Sequence, residues 1–158
     1  MTGSAAKARL YALTLLRYRG RSEKELRDRL RKKGYQQEDI DATVVNLRDS
    51  GFLDDEALAE NLKRQAMTNK LLGFDGARRF MQQRGLPRQI IDQALTYDEE
   101  TELRSIEKLI DKKQRTIEKY PEPKRTRSLI GFLMRKGYPL HIIRKALKNR
   151  YLHEEMEA

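Results

Sequence analysis

The chain has 158 residues, 38% of them hydrophobic and 37% charged, with no cysteine and a net charge of +10. That apolar share suits several thin helical layers, each burying one stripe, rather than one thick core, and the absence of cysteine excludes a disulfide framework and thiolate chemistry. The longest early apolar run, Leu10 to Leu16, is interrupted by Thr14 and bounded by Arg9 and Arg17. It is too short and too charged at its edges for a signal peptide or a membrane span, so a soluble, cytoplasmic protein with no membrane partner is expected.

Helix signals follow one another along the chain. Ala5 to Arg19 reads as a helix with Leu13 and Leu16 inward. Ser22-Glu23-Lys24-Glu25 is a capping box, in which hydroxyl and carboxylate satisfy each other's orphan backbone N–H groups, and it opens a helix to Lys33 with Leu26 and Leu30 as core. Glu38 to Ser50 carries Ile40, Val44 and Leu47 and is closed by Gly51. Asp54, followed by Asp55 and Glu56, caps a helix to about Thr68, where acids favour the positive end of the helix dipole. Asp75 is expected to cap a helix to Arg84. Asp98 opens a long helix through Leu103, Ile106, Leu109 and Ile110 to about Lys119, and Pro121-Glu122-Pro123 breaks the chain before a helix ending at Lys136. No useful stretch alternates with period two, so no sheet is expected.

An internal period ties these helices together. Lys33-Gly34, Arg84-Gly85 and Lys136-Gly137 place their glycines 51 and 52 residues apart. Leu30, Met81 and Leu133 precede them by four places. Ile40, Ile91 and Ile143 follow by six, and Val44, Leu95 and Leu147 by ten. From Gly85 to Leu95 and from Gly137 to Leu147, six of eleven positions are identical. The pattern predicts a helix ending at each cation, a glycine in the left-handed C′ position, and Pro87 or Pro139 beginning the next helix. The fold class expected is all-α: three tandem three-helix repeats, 5–52, 53–97 and 98–151, forming an elongated, curved array. A fragment ending near Thr96 is expected to keep its first two repeats folded.

The charge is uneven. Residues 7–33 hold 11 Lys/Arg against 3 Asp/Glu, 34–103 hold 8 against 14, and 104–150 hold 15 against 4. Basic stretches concentrate polyanions, and two basic ends point to nucleic acid or a nucleic acid–protein assembly. The candidate contacts are Arg27, Arg31, Lys32 and Lys33; Arg78, Arg79, Arg84 and Arg88; and Lys124, Arg125, Arg127, Arg135 and Lys136. Stacked repeats would set them as a stripe for a polyanion lying along the array.

Catalytic chemistry finds little to stand on. His141 is matched by Gln89 in the second repeat, which reads as surface, and His153 lies in an acidic tail. Helix capping explains Asp54-Asp55-Glu56 without a metal. Gly73-Phe74-Asp75-Gly76 lacks the length and the lysine of a phosphate loop and reads as a turn before a helix. No catalytic set, metal site or cofactor is expected, and the chain reads as a binding and regulatory protein, not an enzyme.

The run from Arg21 to Tyr35 (RSEKELRDRLRKKGY) resembles the first-repeat signature of the RecX regulatory proteins, and the stretch from Leu47 to Ala59 (LRDSGFLDDEALA) resembles that family's next block, with Asp55 at its preferred acid. The resemblance covers about residues 8 to 150. Leu58 departs from it, because the family usually carries an aromatic residue there, commonly tyrosine. The resemblance implies an all-helical array of three three-helix repeats. It also implies a modulator, mostly an inhibitor, of the RecA recombinase in DNA recombination, DNA repair and the SOS response. Such a protein binds the RecA–DNA filament along its groove, contacts single-stranded and double-stranded DNA weakly and without sequence preference, and needs no cofactor. A monomer is expected. The alternative is a helix-turn-helix-like DNA-binding transcriptional regulator, which would concentrate its basic residues on one recognition helix.

Overall fold

The computed structural model describes residues 3–157, without the side chains of 152–155, so the His153 imidazole lies outside the described residues. Among the described residues nine α-helices follow in order: α1 (Gly3–Tyr18), α2 (Glu23–Lys33), α3 (Gln37–Asp49), α4 (Asp55–Arg64), α5 (Phe74–Gln83), α6 (Arg88–Ala94), α7 (Glu99–Ile117), α8 (Lys124–Arg135) and α9 (Leu140–Glu157). A π-helical turn, Gln65–Asn69, continues α4. There is no strand among the described residues. The fold is all-α and built from three-helix repeats.

By contact the chain divides into two compact units. Met1–Leu62 and Met81–Ala94 form the first; Lys63–Phe80 and Leu95–Ala158 form the second. In the first, α1, α2 and α3 pack on one another around Leu26, Leu30, Ile40, Val44 and Leu47, all fully buried. In the second, α7, α8 and α9 enclose Ile106, Leu133, Ile142 and Ile143. Each such side chain contributes roughly 1.5–3 kcal/mol by leaving water. Leu71, outside those three helices, is buried in the second core. A chain cut near Thr96 would therefore strip 63–80 of the core it packs on, so the fragment is not expected to keep two complete repeats.

Most expected helix signals act as read. Ser22 Oγ accepts from Glu25 N–H at 3.1 Å while Glu25 Oε1 accepts from Ser22 N–H at 3.0 Å. Asp54 accepts from Ala57 N–H at 3.1 Å, and Asp98 from Thr101 N–H at 3.2 Å. The inward stripe of α1 differs from expectation. Ala5, Ala8, Ala12 and Leu15 are buried, while Leu13 and Leu16 are only half-buried beside them. Small side chains let α1 come close to its neighbours, so the leucines fall to the flank of the contact. Pro87 and Pro139 stand one place before α6 and α9, their carbonyls accepting from Ile91 and Ile143 N–H at 3.1 Å.

Three helix ends share one geometry. Gly34, Gly85 and Gly137 have φ of 101°, 81° and 93°. At each, the glycine N–H bonds back to Arg31, Gln82 or Met134. The next N–H, of Tyr35, Leu86 or Tyr138, reaches Leu30, Met81 or Leu133 at 3.2–3.3 Å. This is the Schellman closure, in which two otherwise orphaned carbonyls find donors and an apolar residue folds back over the last turn.

The three glycines differ in what lies beside them. A Cβ on Gly34 would meet nothing within 4 Å. On Gly85 it would stand 2.7 Å from Ser22 Oγ, and on Gly137 2.1 Å from Gly76 N and 2.3 Å from Gly76 Cα. Gly34→Ala is thus expected to cost about 1–2 kcal/mol, from left-handed backbone alone. Gly137→Ala, which must also push backbone aside, is expected to cost at least about 3 kcal/mol. Urea unfolding of the two variants measures the difference, and equal losses would show that the crowding at Gly137 is relieved by easy movement.

Candidate nucleic-acid and partner interface

The thirteen candidate cations do not share one fate. In the first unit Arg27 is held by Glu23 at 3.3 Å and Asp41 at 2.7 Å. Arg84 turns inward: its Nε lies 3.2 Å from Glu25 Oε2 and its Nη2 donates to the Gly20 carbonyl at 2.8 Å. Against the cost of burial, the Ser22 N–H, Arg84 and Arg19 hold the Glu25 carboxyl below its usual range. Arg31 pairs with Asp28 at 3.1 Å and Arg88 with Asp92 at 3.6 Å, both on exposed helix surface, where such pairs contribute little and open readily. Lys32 and Lys33 are exposed, Lys33 lying 5.3 Å from the Tyr11 ring centre.

In the second unit Lys136 also turns inward. Its Nζ donates to the Lys70 carbonyl at 3.0 Å, and its own carbonyl accepts from Gly73 N–H at 2.9 Å. Arg125 is half-buried against Glu122 at 3.3 Å, and Arg78 lies over the Phe74 ring. Arg79, Lys124, Arg127 and Arg135 are exposed.

Lysines of this unit, Lys124 among the expected set and others outside it, gather near aromatic rings. Lys113 is 4.5 Å from the Phe132 ring centre, and Lys119 and Lys124 lie 5.2 and 4.5 Å from that of Tyr120. Lys108 and Lys112 line a groove together with Asp111, Leu71 and, from the π-helical turn, Met67 and Thr68. The charge excess of 104–150 was the available signal for these residues. Their convergence on rings depends on packing and has no short-range pattern.

In each unit one carboxylate reaches across to cap a helix that is not its own. Asp55, at the start of α4, accepts from Glu23 N–H, the first residue of α2, at 2.9 Å. Burial pushes the Asp55 carboxyl up, opposed by Arg48. Glu102 of α7 accepts from Phe74 N–H, the first residue of α5, at 2.9 Å. Asp75 is therefore not the cap expected from the sequence. The N-cap position falls on Gly73, whose carbonyl takes the Ala77 N–H at 2.8 Å and which has no side chain to offer. Gly73-Phe74-Asp75-Gly76 is also more than a turn, since a Cβ on Gly73 or Gly76 would collide with the backbone of Gly137 or Lys136.

Glu102 is 2% exposed, and its Oε2 has no hydrogen-bond partner among the described residues. Burial raises its carboxyl to about 7; the Phe74 N–H works against that rise and Asp75 adds to it. Nearby, Tyr138 donates to the Leu71 carbonyl at 2.8 Å and holds a non-glycine residue at φ 50°. A carboxyl whose pKa is higher folded than unfolded favours folding while protonated, and that benefit disappears as pH rises through the folded value. Unfolding free energy is accordingly expected to fall by roughly 1–3 kcal/mol between pH 5 and pH 8. Glu102→Gln, which keeps an acceptor for Phe74, is expected to remove most of that slope; denaturation of both proteins across the range measures it, and an unchanged slope would assign it to other groups.

Comparison with known proteins places the geometry in context. A model of the RecX first three-helix domain matches residues 8–47, and one of the RecX third three-helix domain matches 100–147. The regulatory protein RecX of Chlorobaculum tepidum is 34% identical over 146 residues, covering 92% of this chain and 89% of that protein. That of Amycolatopsis mediterranei is 30% identical over 134 residues, covering 84% and 77%. The crystal structure of RecX from Lactobacillus salivarius superposes with a TM-score of 0.82 over 96% of this chain and 99% of that one; at 22% identity it bears on the fold alone. A second crystal structure of a regulatory protein RecX gives a TM-score of 0.76 at 26% identity, covering 92% and 72%. With its helical repeats, its capped glycine turns and relatives at this level of identity along nearly its whole length, the chain belongs to the RecX family of regulatory proteins.

Proposed function

We propose that this chain binds the RecA–DNA filament and modulates it, mostly by inhibiting ATP hydrolysis, filament growth and strand exchange. Membership of a regulatory family supports the reading, and one observation carries it on this chain: exposed cations occur in both units and are not gathered on one recognition helix. That distribution suits an extended polyanionic assembly better than a short duplex site. The chain acts as a binding protein without catalysis of its own, as a cytoplasmic monomer, through three repeats at 5–52, 53–97 and 98–151. Its contacts to single-stranded and double-stranded DNA are weak and indifferent to sequence. Of the thirteen candidates, Arg31, Lys32, Lys33, Arg79, Arg88, Lys124, Arg127 and Arg135 are the ones we assign to those contacts, since Arg27, Arg84 and Lys136 are engaged within the fold and Arg78 and Arg125 are half-buried.

The direct test is RecA ATPase on single-stranded DNA with increasing amounts of the protein; inhibition is expected, and unaltered turnover at saturating protein would refute the proposal. For DNA alone, affinity is expected to fall steeply with salt, because each phosphate contact releases counterions. Lys124→Glu with Arg127→Glu is expected to lower the log–log slope by about one to two units. A slope unchanged in this variant would remove α8 from the contact.

A further inference from the structure

We propose that the outward face of α7 is a track for an extended single strand of nucleic acid, with the Tyr120 ring at its end as a stacking place for a base. The inference rests on the DNA contacts proposed above; it gives them a locus outside the thirteen expected cations and a choice between single strand and duplex.

Arg104, Lys108, Lys112, Arg115 and Lys119 are all exposed and follow one another at intervals of four, four, three and four residues. At about 100° per residue they fall within roughly 80° of arc, opposite the buried side formed by Ile106, Leu109, Ile110 and Ile117. They make a straight ridge about 22 Å long at 1.5 Å per residue, with about one cation per turn. Acids three or four places away would neutralise such a row, but here they are drawn off. Glu107 and Asp111, on the flank of the ridge, meet Arg150 of α9 at 2.9 and 3.0 Å, Glu99 meets Lys145, and Glu102 is buried. Glu100 and Glu118 stand to one side of the two ends. Among the described residues none of the five cations is in an ion pair. The groove that Lys108 and Lys112 line brings the Thr68 side chain to the same face.

The composition of the face selects the partner. No large exposed hydrophobic side chain of the described residues lies on α7. Protein interfaces centre on aromatic and aliphatic anchors and are poor in lysine, and a helix that lies in a lipid surface needs an apolar face. A ridge of cations alone suits a polyanion, whose affinity comes from released counterions. Shape then separates single strand from duplex. A duplex backbone winds away from a straight ridge, and its phosphates rise about 3.4 Å apart along each strand, against about 5.6 Å per cation here. An extended single strand spaces its phosphates more widely and follows a straight line. At the end of the ridge Lys119 and Lys124 lie 5.2 and 4.5 Å from the centre of the half-buried Tyr120 ring. A ring between two ammoniums offers a base a face to stack on and each flanking phosphate a cation. A duplex, with its bases already stacked and paired, cannot use it.

Lys108→Gln, Lys112→Gln and Arg115→Gln together remove the middle of the ridge while keeping good helix formers at exposed positions. Tyr120→Leu removes the ring without changing the charge. Wild type and both variants, as full chains, are titrated into a labelled oligothymidylate, a duplex of equal length and RecA filaments, at several salt concentrations and with circular dichroism on each protein. For the triple variant the expected result is at least tenfold weaker binding to the single strand, a log–log slope lower by about two, and duplex affinity within about twofold of wild type. For Tyr120→Leu it is about fivefold weaker single-strand binding with the slope unchanged. Unchanged single-strand affinity in the triple variant overturns the track, and in Tyr120→Leu it removes the stacking place. An equal loss on duplex contradicts the choice of single strand. A loss confined to RecA filaments assigns the face to a protein partner instead. A wild type that binds neither DNA removes the DNA contacts proposed above and this inference with them, a result distinct from a silent variant. Acetylation of wild-type lysines with and without the oligothymidylate gives a measurement independent of variant stability. Protection of Lys108 and Lys112 supports the track, and equal labelling of both in the two conditions contradicts it.

Discussion

The close seating of a helix end against the start of another helix is the constraint on which the rest of the fold depends. It occurs once in each compact unit, at Gly85 and at Gly137, with separations that only a hydrogen atom in place of Cβ allows. Polar groups around these contacts are answered from within the chain. The Gly73 N–H takes the Lys136 carbonyl, the Lys136 ammonium takes the Lys70 carbonyl, and Arg84 takes that of Gly20. Asp55 and Glu102 complete the arrangement by capping the helices against which the glycines lie.

This constraint sorts the charges. A chain of net charge +10 has cations to spare, and Arg84 and Lys136, beside Gly85 and Gly137, are engaged by the fold while Lys33, beside Gly34, faces outward. Glu102 is the least comfortable member of the set, since its two oxygens meet one donor among the described residues and burial raises its carboxyl to about 7. Asp55, in the matching role, is also raised by burial but keeps Arg48 nearby to oppose the rise.

Local signals explain what could be read in advance. A glycine at C′, a proline soon after and a Ser-x-x-Glu box act within a few residues, so the ends of α2, α5 and α8 and the start of α2 are legible from sequence. The inward face of α1 is not, because alanine contributes little to a hydrophobic period although Ala8 and Ala12 are fully buried. The π-helical turn after Arg64 has no composition of its own. Arg84 and Lys136 hold the same position relative to glycine as Lys33, so their pattern marks a common role without telling which is covered. The capping by Glu102 joins residues 28 apart and is decided by how α7 packs. Sequence alone had offered Asp75, the nearer acid, in its place.

The glycine seat has a consequence for inheritance. At Gly137 its fit is made by main-chain atoms of Asp75 and Gly76, and at Gly85 by the side chains of Ser22 and Lys24, so it constrains few positions. Substitutions can therefore accumulate over most of the surface, and through the cores by exchanges of similar volume, without altering how the helices meet. A TM-score of 0.82 at 22% identity shows the fold kept through wide divergence. Drift of this kind spares the scaffold and falls instead on the outward-facing cations, where one lineage can adjust its grip on a partner independently of another.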